Sequence, residues 1–351
     1  MPWREDPTPY HVWVSEIMLQ QTRVEAVKPY YDRFLQRFPD VETLSRATEE
    51  QLLKAWEGLG YYNRVRNLGK AARILMERYG GKMPGTAEEL KSLPGIGSYT
   101  AGAVASIAFG EPVPAVDGNV LRVYTRLLAD ERPITEDKVK KSIEEDFYRI
   151  MPKRRSGDLN QALMELGALV CAPGGEPKCE ACPLQDLCRT GKKGDGSYGS
   201  YPVKKAQKPR NIEKKTVLLL CNDRKLMIRQ RPAKGLLAGM YEFPVMEGHQ
   251  DRKQVIEYVR RLGFEPLQVK KLPPAKHVFT HKEWHMVGYE VRLDELASLT
   301  PRAGEENLLF ADRKGIEEVY PIPSAYSAYT SYLQIPQGAL KMKKKRKETL
   351  S

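Results

Sequence analysis

Long apolar runs are missing from this chain: no stretch approaches the roughly 20 residues that a membrane helix needs. The first segment, MPWREDPTPY, also lacks the basic-then-apolar pattern of a secretion signal. We therefore expect a protein of the cell interior, in the cytoplasm, without a membrane partner. Cysteine is scarce, five in 351 residues, and four of them (Cys171, Cys179, Cys182, Cys188) fall within 18 residues while Cys221 stands alone. A disulfide framework spread along the chain is excluded, and in a reducing compartment such clustering reads as metal ligation. Acidic residues are in deficit, 45 Asp and Glu against 57 Lys and Arg, for a formal charge of +12. That balance favours a polyanionic partner such as nucleic acid, although proteins that touch ribosomes share it.

The length exceeds one ordinary core and predicts two domains. From Val12 to about Leu187, apolar residues recur at spacings of three and four, as in Leu68, Ala72, Leu75 and Tyr79, which predicts helices. Between Gly191 and Asn211 the sequence has little to bury and many turn formers, so an extended linker is expected. Thr216 to Cys221, Leu226 to Ile228 and Trp284 to Leu293 then read as strands, with a helical pattern near Lys253 to Leu262. The expected layout is a mainly α domain over 1–190, a linker over 191–212, an α/β domain over 213–335 and a basic tail over 336–351. The tail, with Lys341, Lys343, Lys344, Lys345, Arg346 and Lys347, reads as a disordered solubilising end, or alternatively as a nonspecific grip on phosphates.

Leu93-Pro94-Gly95-Ile96-Gly97 precedes a helix of small residues, Thr100 to Ala108, which would let another helix approach closely. Over about 90–108 this reads as a helix-hairpin-helix, whose Gly95 and Gly97 would offer backbone N–H groups at a helix start to a phosphate oxygen. An ordinary turn between packed helices is the plain alternative. Asp117, in Val116-Asp117-Gly118-Asn119-Val120, stands at the entrance of the next helix, either as a simple cap or turn residue or as a carboxylate held beside a gripped strand. Glu16, Gln20 and Arg23 share a helical face opposite Val14, Ile17 and Met18, so a surface salt bridge is the plain role for Glu16.

These motifs, with Pro2-Trp3-Arg4, Trp13 to Thr22, Gly58-Leu59-Gly60-Tyr61-Tyr62, Arg64, Arg66-Asn67-Leu68 and Leu166-Gly167-Ala168 before Cys171, resemble the helix-hairpin-helix DNA glycosylases, in particular the adenine-specific MutY type. The resemblance covers nearly the whole chain. It implies that Glu16 is the acid that protonates adenine and later helps activate water, for which burial must raise its pKa. Asp117 would stay ionised to stabilise an oxocarbenium-like sugar, as in the paired carboxylates of glycoside hydrolysis, with Asn119 orienting it. Tyr99 stands where related strand-nicking glycosylases carry a Schiff-base lysine, which implies a monofunctional enzyme that leaves an abasic site. The target nucleotide must be flipped out, and the resemblance makes Tyr61 and Gln21 a wedge beside the opposite base. It also sets Trp3, Arg4, Leu19 and Gln161 around the adenine pocket. Similar family members carry one more helix ahead of Pro2, so a segment packing on the cluster region is expected to be missing here.

The resemblance reads Cys171, Cys179, Cys182 and Cys188, in the loop 171–188, as ligands of a [4Fe-4S] cluster, a structural zinc site being the non-redox alternative. Seven residues separate Cys171 from Cys179 where the usual pattern has six, and the Gly174-Gly175 turn is expected to absorb the extra one. The region 213–335 resembles the Nudix-like domain of the same family through Arg231-Pro232, Gly235 to Gly239 and Glu242-Phe243-Pro244. It lacks the glutamate-rich magnesium helix, so it would recognise without hydrolysing. Phe279-Thr280-His281 then becomes the loop that senses 8-oxoguanine, with Thr280 in place of the commoner serine. His277, His281 and His285 are spaced by four, but the flanking Val278, Phe279 and Trp284 favour strand-loop-strand over a metal face. The implied substrate is duplex DNA with adenine opposite 8-oxoguanine or guanine, met by a monomer at the nucleoid. Competing readings are a glycosylase of the same fold with another mismatch target, such as thymine opposite guanine, and a catalytically silent lesion or redox sensor.

Overall fold

The computed structural model describes residues 1–191, 196–205, 209–222, 225–294 and 307–336; the basic run Lys341 to Lys347 lies outside the described residues. The chain divides into two compact units, one of Met1–Arg46 with Asn67–Gln207 and one of Ala47–Arg66 with Lys208–Ser351. Residues 47–66 are counted by compactness with the second unit, where Lys54, Glu57 and Arg66 bond to backbone between residues 238 and 322.

The first unit is helical. Helix Pro9–Leu19 starts where Thr8 accepts the His11 N–H at 3.2 Å and proline takes the first turn. Val12, Trp13, Val14, Ile17 and Met18 are all buried. It packs on helix Ser98–Phe109, whose small residues permit backbone-close neighbours. A Cβ at Gly102 would stand 2.1 Å from the Pro114 carbonyl oxygen, and one at Gly157 would stand 2.7 Å from Ile107 Cα. Helix Gly118–Leu128 buries Val120 and Leu121 against Val139, Ile143 and Phe147 of the amphipathic helix Asp137–Ile150. Truncating the fully buried Ile143 to Ala would cost about 2–5 kcal/mol, which measures how firmly the helix behind Asp117 is anchored.

Within 191–212 the described residues make contacts with the helical unit. The Val203 carbonyl accepts the Ile134 N–H at 3.0 Å, and Arg126 donates to the carbonyls of Tyr198 and Tyr201 with its guanidinium 5.6 Å from the Tyr198 ring centroid. Tyr198 and Val203 supply contacts that a count of turn formers overlooks.

Among the described residues the second unit holds a sheet of seven strands: β1 (Asn211–Asn222), β2 (Lys225–Gln230), β3 (Tyr241–Glu242), β4 (Val245–Glu247), β5 (Pro266–Val278), β6 (Lys282–Leu293) and β7 (Leu308–Asp312). The order is β3-β2-β1-β6-β5, with β4 on β1 and β7 on β2, and β1 runs parallel to β6. Strand β1 is buried on both faces, Val217 and Leu219 on one side and Leu218 and Leu220 on the other. Helix Arg252–Arg261 covers the second face through Val255 and Val259, while Ile316, Tyr326 and Tyr329 cover the first. The architecture is therefore a mainly α unit, with a hairpin between helices Ala87–Lys91 and Ser98–Phe109, and an α/β unit of one mixed sheet with helices on both faces. The β5–β6 hairpin shifts register between Leu272 and Ala275, where Pro273 and Pro274 cannot donate to the ladder. Its turn presents Phe279, Thr280 and His281.

Candidate active site

Glu16 is 5% exposed, so the amphipathic-face reading that left it on the surface does not hold. The helix ends at Leu19, and the side chain of Tyr99, from the sequence-distant helix Ser98–Phe109, lies over that face. Tyr99 donates its hydroxyl to Glu16 Oε2 at 2.5 Å. Burial raises the Glu16 pKa to about 7; the Tyr99 bond opposes the rise, the charge of Asp117 adds to it, and Arg4 opposes it. The tyrosine hydroxyl is itself held well above its ordinary value, first by burial and then by the two carboxylates.

Asp117 caps helix Gly118–Leu128, as the plain reading expects, and its geometry goes further. Oδ1 accepts the N–H groups of Asn119 and Val120, each at 2.8 Å, while Oδ2 accepts the Asn119 amide at 2.7 Å. Burial pushes the Asp117 pKa up, against these bonds and the Arg122 charge, all of which favour the ionised form. Asn119 is oriented in turn by Arg122, which donates to its Oδ1 at 2.8 Å, to the Gly167 carbonyl at 2.7 Å and to the Cys171 carbonyl at 2.8 Å. A Cβ at Gly167 would lie 2.6 Å from Asn119 Cβ, so a glycine is required for this approach. Sequence reasoning gave Arg122 no part, because two of its acceptors are backbone carbonyls 45 and 49 positions away.

Gly95 adopts φ +81°, and a Cβ there would meet Asn67 Cβ at 2.7 Å, so glycine is demanded twice over. Gly97 stands exposed in open space at the start of helix Ser98–Phe109, with no side chain capping the first N–H groups. In the same unit, Arg4 pairs with Glu165, and buried Trp3 packs edge-on against Tyr31. Leu19 ends its helix half-buried, and Gln161 is half-buried on helix Ser156–Glu165. Gln21 is exposed with φ +55°, a conformation uncommon for a side-chain-bearing residue.

In the second unit the loop 58–62 is built on positive φ at Gly58 (+100°), Gly60 (+72°) and Tyr61 (+50°). Arg64 organises it by donating to the carbonyls of Leu59 and Gly60 at 3.2 and 2.9 Å, with its guanidinium over the rings of Trp56 and Tyr61. Burial draws the Arg64 pKa down to about 10. Tyr61 is half exposed, and its hydroxyl lies 3.4 Å from Thr280 Oγ1. The turn 279–281 is closed by the Phe279 N–H to Lys282 carbonyl bond at 2.8 Å, and Phe279 packs edge-on to buried Trp284 at 4.9 Å between centroids. His277 and His285 lie on the strands, with His281 between them in the turn.

Cys171 follows a π-helical turn, Leu166–Val170, and Cys179, Cys182 and Cys188 bound two short 3-10 turns. Gly175 at φ +71° and the Lys178 N–H to Val170 carbonyl bond at 3.0 Å accommodate the seven-residue spacing. All four thiols are free and half-buried. Among the described residues no group of three or more His, Cys, Asp or Glu side chains is close enough together to hold a metal ion. The Cys179 thiol is pushed up by burial and then by Cys171, Cys188 and Cys182. Arg126 and the Gly191 N–H already donate to Cys171 Sγ and Cys188 Sγ, each at 3.3 Å. No helix among the described residues is long and apolar enough to cross a membrane.

Residues 14–148 match the family model described as HhH-GPD superfamily base excision DNA repair protein, and residues 216–330 match the NUDIX domain. Among solved structures, a thermostable thymine-DNA glycosylase superposes with a TM-score of 0.50 at 31% identity, covering 55% of this chain and 88% of that one. Fold and site together define a DNA glycosylase of base excision repair. The adenine DNA glycosylase of Mus musculus is 35% identical over 360 residues, covering 87% of this chain and 70% of that protein. That of Buchnera aphidicola subsp. Schizaphis graminum is 33% identical over 294 residues, covering 84% and 83%. The chain belongs to the adenine DNA glycosylase family.

Proposed function

We propose that this enzyme hydrolyses the N-glycosidic bond of adenine paired with 8-oxoguanine or guanine in duplex DNA, leaving an abasic site. The observation that carries the reading is the buried Glu16, with a pKa near 7, beside a carboxylate fixed through both oxygens. Glu16 Oε2 is occupied by the Tyr99 hydroxyl, so Oε1 carries the proton that adenine receives as it leaves. Asp117, whose ionised form two backbone N–H groups and the Asn119 amide favour, faces the positive charge that develops on the sugar. Ionised Glu16 then accepts a proton from the attacking water. Tyr99 offers no amine for a Schiff base, so base release is not coupled to strand cleavage.

DNA is gripped at Gly95 and Gly97, Tyr61 and Gln21 fill the space beside the opposite base, and Trp3, Arg4, Leu19 and Gln161 enclose the flipped adenine. Phe279, Thr280 and His281 read the opposite base. Cys171, Cys179, Cys182 and Cys188 hold a [4Fe-4S] cluster, which when bound supplies a covalent staple for the loop 171–188 and no part of the hydrolysis. The enzyme works as a monomer in the nucleoid-bearing compartment.

The pure enzyme should leave abasic strands intact until alkali is added, and strand nicking without alkali would refute the monofunctional reading. Replacing Thr280 and His281 together by Ala should erode the preference for 8-oxoguanine over guanine more than it slows adenine release. Unchanged discrimination would remove the sensing role from this turn. Metal analysis should find iron and sulfide; a zinc-loaded, colourless protein would overturn the cluster.

A further inference from the structure

The segment that carries Tyr61 is fastened to the α/β unit by a buried ion pair that the chemistry above does not use. Lys54 Nζ lies 2.9 Å from Glu57 Oε2, and the two side chains are 6% and 5% exposed. The three donors of this ammonium find three acceptors, since Nζ also lies 2.8 Å from the Ile316 carbonyl and 3.0 Å from that of Tyr320. Glu57 uses its other oxygen to accept the Ile322 N–H at 2.8 Å. At the far end of the loop, Arg66 donates to the Ala238 carbonyl and to Glu49 Oε1. Between these fastenings lie Gly58, Gly60 and Tyr61 at positive φ, with the Tyr61 hydroxyl 3.4 Å from Thr280 Oγ1.

A buried ion pair is a poor device for stability alone, because apolar side chains of similar volume usually serve as well once desolvation is counted. Its directional bonds to residues 316, 320 and 322 instead set the position of the loop start. We propose that Lys54 and Glu57 are positioning residues for opposite-base discrimination: they seat the Tyr61 loop on the unit that carries Thr280, so that wedge and sensor move as one body. This inference rests on the roles proposed above for Tyr61 and Thr280.

The test uses full-length, cluster-loaded enzyme with Glu57→Gln, which keeps an acceptor for Ile322 and is mild enough to fold, together with Lys54→Met. Adenine release is measured opposite 8-oxoguanine and opposite guanine in single turnovers, and amide hydrogen exchange is followed in the free protein. Both variants should lower the 8-oxoguanine to guanine rate ratio by roughly tenfold, with the rate opposite guanine nearly unchanged. Amides at 58–62 should exchange faster together with those at 279–282, while helix Pro9–Leu19 stays protected. Parallel loss of both rates, or unchanged exchange at 58–62 in Glu57→Gln, overturns the proposal. Faster exchange in both loops in an enzyme whose wild type shows no preference would uphold the clamp and refute the functional reading it rests on.

Discussion

Replacing Tyr99 by Phe should make the enzyme more tolerant of alkaline pH. The Tyr99 hydroxyl donates to Glu16 Oε2 at 2.5 Å and so stabilises the ionised carboxylate, pulling down a pKa that burial has raised to about 7. A hydrogen bond to a charged group contributes about 1.5–3 kcal/mol, and one pKa unit corresponds to about 1.36 kcal/mol, so its loss lifts the Glu16 pKa by about 1–2. In the proposed mechanism adenine release needs protonated Glu16, so the descending limb of the rate profile should move from about pH 7 to about pH 8–9. Near pH 9 roughly one Glu16 in a hundred keeps its proton in the wild type, against one in ten or more in the variant. The assay is single-turnover release of adenine from saturated enzyme across pH, with each profile normalised to its own acid plateau. A limb that stays in place, or moves to lower pH, would mean that the titrating acid is not the Glu16 carboxyl bonded to Tyr99.

Two further outcomes follow from the same geometry. Because the folded-state pKa of Glu16 lies above its ordinary 4.5, its contribution to stability is fully present below about pH 4.5 and is lost as pH rises through about 7. Glu16→Gln should therefore unfold at higher denaturant than wild type above pH 7, by up to about 3 kcal/mol, and no gain there would contradict the burial argument. Gly95→Ala puts a Cβ 2.7 Å from Asn67 Cβ at φ +81°, so the hairpin must distort. Binding to undamaged duplex should weaken and its salt slope fall by about 1, the mark of one lost phosphate contact; an unchanged slope would take the phosphate away from this turn.

Much of this arrangement can be read from local signals. Asp117 before Gly118 marks a helix entrance, the small residues after Thr100 mark a close helix contact, and the apolar run Val217 to Leu220 in β1 marks a strand. These cues act over a few positions, where spacing is informative. Glu16 shows the opposite case: its helical face reads as solvent-facing because the Tyr99 side chain that covers it comes from 83 positions away. Arg122 was silent for the same reason, since two of its acceptors are carbonyls 45 and 49 positions away, whereas Arg64 stands within a motif and serves carbonyls three to five positions away. Residues 47–66 read as part of the helical domain by continuity, and the family match over residues 14–148 includes them, but their bonds to residues 316, 320 and 322 span more than 250 positions and leave no local signal. The Tyr61 to Thr280 approach was equally hidden, although both residues stand out through their motifs.

The central claim is that buried Glu16 protonates a flipped adenine beside ionised Asp117. The most direct test is to measure free adenine released from duplexes with adenine opposite 8-oxoguanine, guanine or thymine, by the wild type and by Glu16→Gln. The account predicts release opposite 8-oxoguanine and guanine, little opposite thymine, and none from the variant while it still binds the same duplexes. Adenine release by Glu16→Gln at the wild-type rate, or none from folded, cluster-loaded wild type, would contradict it.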